Sequence, residues 1–505
     1  MSDLRTVLRD LGAVCIMIGA ISLITLLVPL YFGELPGSTI DGVTPILITS
    51  AVFFLIGIPF YLFFKQADPT NFKCAMVTAA LGWLLVSVIG SFPFLLMPYN
   101  TQSFAVMDSL SAFFESMSGW TGTGLTMVEK ESLLPFTLQF WRTFIQWIGG
   151  VGVIVLTLSI LARPGTGSFV LYKGEARDQK THPSIISTVR TIWWIFLLYT
   201  IIGIIALTIA GWLSSGNGMD PWQSLNHAMT GIATGGFSVT DDSLASFDGI
   251  SQFIVILLMV LGSIAFAVHY DLLKGRFKRF LKDIQLHSML LLFIIGILAL
   301  TMLNMYIIPS FPSLREAFAP SAFQFISALS CTGFSSVESL GSWSESSLLL
   351  LSFAMIIGGA AGSTAGGIKL FRLNLLFKGV GWRMKQAVST PKRVFVHKLG
   401  EKPLSKESAM DLINEAAIIS FFWITILAVS IMILSSIYSN QSLGKVIFEV
   451  CSAQGNVGLS SGITSISMNS TAKAMLILNM WIGRLEIIPV IILIRSLFGI
   501  KRNLI

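Results

Sequence analysis

The stretch GWTGTGLT, Gly119–Thr126, decides how this chain reads, because three altered copies of its tail recur downstream. They are IATGGFS at Ile232–Ser238, LSCTGFS at Leu329–Ser335 and QGNVGLS at Gln454–Ser460. Superposing the shared Gly-[Leu/Phe]-[Ser/Thr] places Gly124, Gly236, Gly333 and Gly458 at one position, at intervals of 112, 97 and 125 residues. Nine residues upstream stand Glu115, His227, Gln324 and Glu449, each polar within a moderately apolar stretch of helical length. One such tripeptide carries no information, but four at matched places between long apolar segments define a repeated unit: span, short helix, Gly-containing loop, span.

The setting of these units is a membrane. Of 505 residues, 54% are hydrophobic and 12% charged, and the mean hydropathy is +0.78; a soluble domain carries about 25% charged residues. Ten apolar segments are long enough to cross roughly 30 Å of hydrocarbon, near 9–32, 44–65, 72–97, 134–162, 184–213, 250–273, 283–308, 345–377, 410–437 and 471–498. The first is too long for the apolar core of a signal peptide and no small-residue cleavage site follows, so it reads as a retained span. Lys and Arg gather in alternate connections (Arg5 and Arg9, Lys65 and Lys73, 163–190, 274–282, 378–406 and 495–502), whereas 33–43 and 214–221 hold none. That bias puts both termini in the cytoplasm and attributes the net charge of +7 to topology, not to nucleic acid. The long 163–190 and 378–409 connections read as solvated loops or as a docking surface. Cys15, Cys74, Cys331 and Cys451 show no CxxC and no His/Cys clustering, so they read as small apolar residues.

Non-helical backbone at membrane depth is tolerated only where it is buried in protein or lines a wet cavity. Four such loops around one axis can turn carbonyl oxygens toward a central ion and replace its hydration shell. The expected filter is therefore Gly122, Thr123 and Gly124; Thr234, Gly235 and Gly236; Cys331, Thr332 and Gly333; Asn456, Val457 and Gly458. None of these residues is charged, which suits main-chain oxygens rather than a carboxylate ring.

A second feature is the run Gly358–Gly367, with five glycines in ten residues inside an apolar segment. Each costs about 1 kcal/mol relative to Ala within a helix. Two arrangements fit: a packing ladder on Gly358, Gly362 and Gly366, or a broken helix whose loop projects beneath the filter as a gate. The gate set would be Gly358, Gly359, Gly362, Ser363, Thr364, Gly366, Gly367 and Lys369, joined by Arg484, placed near the middle of the last span. No strand precedes the run, so it is not a phosphate-binding loop. Arg484 either projects into the pore as a barrier to cations or pairs with Glu486 or a neighbouring span. Arg142 wants a buried carboxylate, for which Glu115 and Glu449 are both candidates, and His227 reads as a satisfied core histidine or as a pH sensor.

Phe140-Trp141-Arg142, Gln146-Trp147-Ile148-Gly149-Gly150, the Gly358–Gly367 run with Lys369, and Gly483-Arg484-Leu485-Glu486 together resemble the TrkH–KtrB–HKT superfamily of K⁺ transporters, nearest the TrkH/TrkG branch. The likeness spans nearly the whole chain, and two extra N-terminal spans favour that branch over KtrB. It implies K⁺ as the transported ion with no organic cofactor, a homodimer in the inner membrane, and a separate cytoplasmic nucleotide-binding regulator of the TrkA type. Plant-type relatives with Ser at the first filter Gly carry Na⁺, so Gly124 favours K⁺. One departure is Gly235, where relatives often have Thr.

The expected fold is thus all-α and polytopic: two extra helices at 1–70, then repeats at 71–164, 165–282, 283–405 and 406–505 around a central pore. The expected activity is uptake driven by the membrane potential, with a secondary transporter coupling K⁺ to H⁺ or Na⁺ as the alternative. Four repeats in one direction, and a single Gly-rich break, favour the former over the inverted repeats of the latter. No HExxH motif or paired intramembrane aspartates suggest an enzyme.

Overall fold

The computed structural model describes residues 2–161, 185–214, 216–307, 311, 313–389, 397–399 and 402–497. Among the described residues the regular structure is helical apart from one short antiparallel strand pair, His397–Leu399 against Lys402–Leu404. In chain order the helices are α1 Ser2–Ser22, α2 Leu27–Phe32, α3 Val43–Phe63, α4 Phe72–Gly90, α5 Phe92–Leu96, α6 Ser109–Thr121, α7 Phe136–Leu161 and α8 Ile185–Leu213. Then follow α9 Pro221–Ile232, α10 Gly249–Ser263, α11 Phe266–Leu273, α12 Phe277–Leu281, α13 Ile284–Ile307 and α14 Leu314–Leu329. The chain continues with α15 Glu345–Ile357, α16 Leu370–Val388, α17 Lys406–Ile437, α18 Leu443–Gln454, α19 Ser470–Arg484 and α20 Ile488–Leu497. Most of the 163–190 connection, and 390–396 of the 378–409 connection, lie outside the described residues.

Six described stretches are long and apolar enough to cross a membrane without a sharp bend: 3–32, 43–63, 72–96, 189–213, 284–306 and 406–437. The expected single spans at 250–273 and 471–498 need correction. The first is α10 and α11, bent by 107°, and the second is α19 and α20, bent by 112°. The segment at 345–377 is also not one helix, since α15 ends at Ile357 and α16 starts at Leu370. Among the described residues, three sharply interrupted segments therefore replace the one expected.

Four short helices, α6, α9, α14 and α18, carry the repeated motif. Each starts with a side chain that accepts from the first turn: Asp108 from Leu110 and Ser111, Asp220 from Gln223, Ser313 from Glu316, and Ser442 from Lys445. Caps set where these helices begin, and so where their C-terminal ends fall. The first two spans are pinned to this body. Arg9 and Asp10 form a buried pair, and Arg9 also donates to Thr70 Oγ1 at 2.9 Å and to the carbonyls of Ala67 and Asp68. At the opposite end Glu34 accepts from the amides of Phe136 (2.7 Å) and Thr137 (3.0 Å), capping α7.

Candidate functional site: four converging loops and the loop beneath them

Four glycines close a ring. Each has a left-handed backbone, with φ of 88° at Gly124, 77° at Gly236, 91° at Gly333 and 102° at Gly458, a conformation that a Cβ makes costly. A methyl group built on Gly124 would collide with the carbonyl oxygen of Gly235, on Gly236 with that of Thr332, on Gly333 with that of Val457, and on Gly458 with that of Thr123. The contacts run first to second, second to third, third to fourth and fourth back to first. Each loop therefore abuts the next in a closed cycle.

The backbone repeats at finer grain. Two residues before each glycine the φ is again positive: 66° at Gly122, 50° at Thr234, 55° at Cys331 and 53° at Asn456. The amide between them donates back five residues in every loop: Thr123 to Ser118 O (2.8 Å), Gly235 to Thr230 O (2.9 Å), Thr332 to Ser327 O (3.0 Å) and Val457 to Ser452 O (2.9 Å). Ser118, Thr230, Ser327 and Ser452 were not among the expected site residues, although each stands six positions before its glycine and a longer superposition finds them. In two loops the side-chain hydroxyl of that residue also accepts from the glycine amide, Gly333 N to Ser327 Oγ at 3.1 Å and Gly458 N to Ser452 Oγ at 3.0 Å.

The polar residue nine positions upstream has a physical task in all four segments. Glu115 accepts from Thr126 Oγ1 (2.9 Å), His227 Nε2 meets Ser238 Oγ (2.9 Å), Gln324 Nε2 donates to Ser335 Oγ (2.9 Å), and Glu449 accepts from Ser460 Oγ (2.8 Å). Each bond ties the short helix to the Ser/Thr that ends the motif, which explains why the motif ends that way. His227 also bonds Gln223 O through Nδ1 at 2.8 Å, so both ring nitrogens are used, as a core histidine requires. Glu449 further accepts from the amides of Ser461 (2.8 Å) and Thr464 (3.0 Å).

Of the two candidates, Glu115 is the partner of Arg142, with Nε to Oε1 at 2.8 Å and both side chains buried. The guanidinium spreads its other donors over Ser238 O (3.0 Å) and Thr126 Oγ1 (3.0 Å), and it lies 4.3 Å from the centre of the Phe237 ring. It joins the first and second loops from behind.

Beneath the ring lies the Gly-rich segment, and it is a loop. It leaves α15 at Gly358 and returns alongside it, with Ile368 N to Ile356 O and Lys369 N to Ile357 O, both 2.9 Å. Gly358 and Gly367 pack against each other at the neck, which rules out the packing ladder. The tip reaches the ring's underside: Thr234 Oγ1 donates to Thr364 Oγ1 at 2.9 Å, and Gly366 packs on the carbonyl of Gly455. The bend between α10 and α11 is satisfied by the same loop, through Ala360 N to Ser263 O (3.0 Å), Phe266 N to Gly362 O (3.1 Å) and Thr364 Oγ1 to Gly262 O (2.9 Å).

Arg484 ends α19 at the break in the last apolar segment. It donates to Thr364 O (2.8 Å), Gly149 O (2.8 Å) and Gly150 O (2.9 Å), so one side chain fastens the loop tip to α7. Glu486, the partner named as an alternative, takes Lys369 Nζ at 2.6 Å together with Arg372. Lys369 therefore holds the loop's base through a carboxylate. Ser363 stays inside the loop, donating to Ala360 O at 2.6 Å.

Residues 43–499 match the profile of the TrkH family, described as cation transport protein. The chain is similar to the uncharacterized cation transporter MJ1485 of Methanocaldococcus jannaschii, with 34% identity over 98% of this chain and 96% of that one. It is 32% identical to the Trk system potassium uptake protein TrkH of Escherichia coli K12 over 86% of this chain and 87% of the relative. The crystal structure of the potassium transporter TrkH from Vibrio parahaemolyticus superposes with a TM-score of 0.80 at 26% identity, covering 98% and 99% of the two chains.

Proposed function

Because the chain belongs to the TrkH family of cation transport proteins, multi-pass membrane proteins that move ions and are not enzymes, we propose that it is a channel-like K⁺ uptake subunit. Four loops supply main-chain oxygens in place of the ion's water. The observation that carries this reading is the closed ring of left-handed glycines, in which each loop abuts the next. The filter residues are those named from the sequence, from Gly122 to Gly458, and the names of the relatives supply the ion. The C-terminal ends of α6, α9, α14 and α18 adjoin the loops, and the negative ends of their dipoles favour a cation there. The repeat boundaries at 71–164, 165–282, 283–405 and 406–505 belong to this proposal.

The loop from Gly358 to Lys369 is the gate. It sits against the filter's underside, held by Arg484 at its tip and by the Lys369–Glu486 pair at its base. The fixed charge of Arg484 repels cations below the filter, so conduction requires both loop and guanidinium to shift. The driving force is the membrane potential, about 2.3 kcal/mol per charge per 100 mV. The Lys/Arg bias supports cytoplasmic termini in an inner membrane, and the family resemblance supports a second copy of this chain and a TrkA-type nucleotide-binding regulator as partners.

Three interrupted helices speak for the alternative, coupling of K⁺ to H⁺ or Na⁺, since broken helices build many transporter sites. Against it, Glu115 and Glu449, the two carboxylates beside the ring, are fully engaged by donors. Purified protein in liposomes separates the two readings. ⁸⁶Rb⁺ uptake driven by a K⁺ gradient alone is the expected result; uptake that requires an imposed pH or Na⁺ gradient would establish the symporter.

A further inference from the structure

The four loops are not braced alike. Ten residues beyond the first residue of α7, α10, α15 and α19 stand Gln146, Met259, Met355 and Met480, all completely buried. Three are the expected apolar filler, and one is an amide. The central residues of the loops differ as well: Thr123, Thr332 and Val457 carry side chains, whereas Gly235 has none. The two exceptions meet. Gln146 Nε2 donates to Gly235 O at 2.6 Å, and Gln146 Oε1 accepts from Phe237 N at 2.9 Å. A Cβ on Gly235 would run into the Gln146 side chain.

The glutamine amide thus pairs with the loop as another strand would, one donor and one acceptor two residues apart. The carbonyl it holds is the one that abuts Gly124 in the ring. We propose that Gln146 is the positioning residue of the second filter loop, fixing the Gly235 carbonyl in place of a loop side chain, and that it thereby sets discrimination between K⁺ and Na⁺. A carbonyl free to swing follows a smaller ion inward, whereas one tied from behind does not. This inference rests on the filter reading above.

The test is the K⁺/Na⁺ permeability ratio, read from the reversal potential in planar bilayers holding the purified full chain. The ratio reports only conducting molecules, so loss of folded protein alone does not move it. Gln146→Met removes both bonds and is expected to lower the ratio at least about fivefold, in line with the loss of two side-chain hydrogen bonds to the backbone. Gly235→Thr alone is expected to lower it too, for want of space. The double variant Gln146→Met with Gly235→Thr rebuilds the pattern of the other loops and is expected to return the ratio to within about twofold of the parent, a non-additive cycle. If Gln146→Met yields no conducting protein, the double variant must restore conduction, and one that stays silent overturns the proposal. An unchanged ratio in Gln146→Met, or a double variant no better than its singles, overturns it as well. Gly236→Ala separates this failure from that of the filter reading. If it abolishes flux while Gln146→Met leaves the ratio alone, only the positioning role is lost. If Gly236→Ala leaves flux and ratio unchanged, the filter itself is wrong.

Discussion

Arg142 shows what a single buried charge does here. It is paired with Glu115, yet it also serves Ser238 O and Thr126 Oγ1, so its role depends on the fork of the guanidinium as much as on its charge. Removing one partner of a buried pair costs about 3–5 kcal/mol. Arg142→Ala is therefore expected to lower the thermal midpoint in detergent sharply, and Arg142→Lys to recover only part of the loss. Exchanging Arg142 and Glu115 is expected not to rescue folding, because a carboxylate at 142 leaves Ser238 O without its donor. The need for a carboxylate was legible in the sequence; the choice of Glu115 over Glu449 was not, because it depends on which short helix packs behind α7. Nearby, Glu131 lies in the turn before α7, with Arg142 Nη2 at 3.9 Å. Burial pushes its carboxyl up to about 7, against the pull of the Arg142 charge. A raised carboxyl binds its proton more tightly in the folded state, so its contribution to stability is complete below about 4.5 and fades as pH rises through 7. The thermal midpoint is expected to fall between those values, and Glu131→Gln is expected to flatten that stretch of the curve.

Among the elements, the interrupted helices were the least legible. Only the break at Gly358–Gly367 announced itself, because five glycines weaken a helix on their own. The bend at Ser263–Phe266 has no such signature: its exposed backbone groups are satisfied by Ala360, Gly362 and Thr364, which are about a hundred residues away. The break after Arg484 is fixed by the left-handed Glu486 and Ile487 and by the ties from Lys369 and Arg372. Tertiary partners, not local propensity, made both. The three breaks share bonds with one loop, so loosening that loop should change conduction without unfolding the spans. Arg484→Ala removes bonds to Thr364, Gly149 and Gly150. It is expected to raise ⁸⁶Rb⁺ leak at least about tenfold, since even one hydrogen bond to a charged group is worth that ratio. Glu486→Gln is expected to act in the same direction by freeing the loop's base. Unchanged leak in both variants would remove the gate from the account.

For the molecule as a whole, fourfold order was readable because it is written in residue types. The glycines, the preceding small residues and the polar residue nine positions back all recur. Their structural meaning is the bond from that polar residue to the closing Ser/Thr, made in every segment. The departures from fourfold order were harder to read. Gln146 looked like part of a motif and Gly235 like a lapse in one, and only contact between them makes each the reason for the other. The central claim is that Gly124, Gly236, Gly333 and Gly458 surround one path on which main-chain oxygens take the place of water. Crystals grown in Rb⁺ or Tl⁺ test it most directly through anomalous scattering. The account expects a peak on the axis between those four residues, lost on replacement by Na⁺. Density elsewhere in the molecule, with none between the four glycines while the protein still conducts, would contradict it.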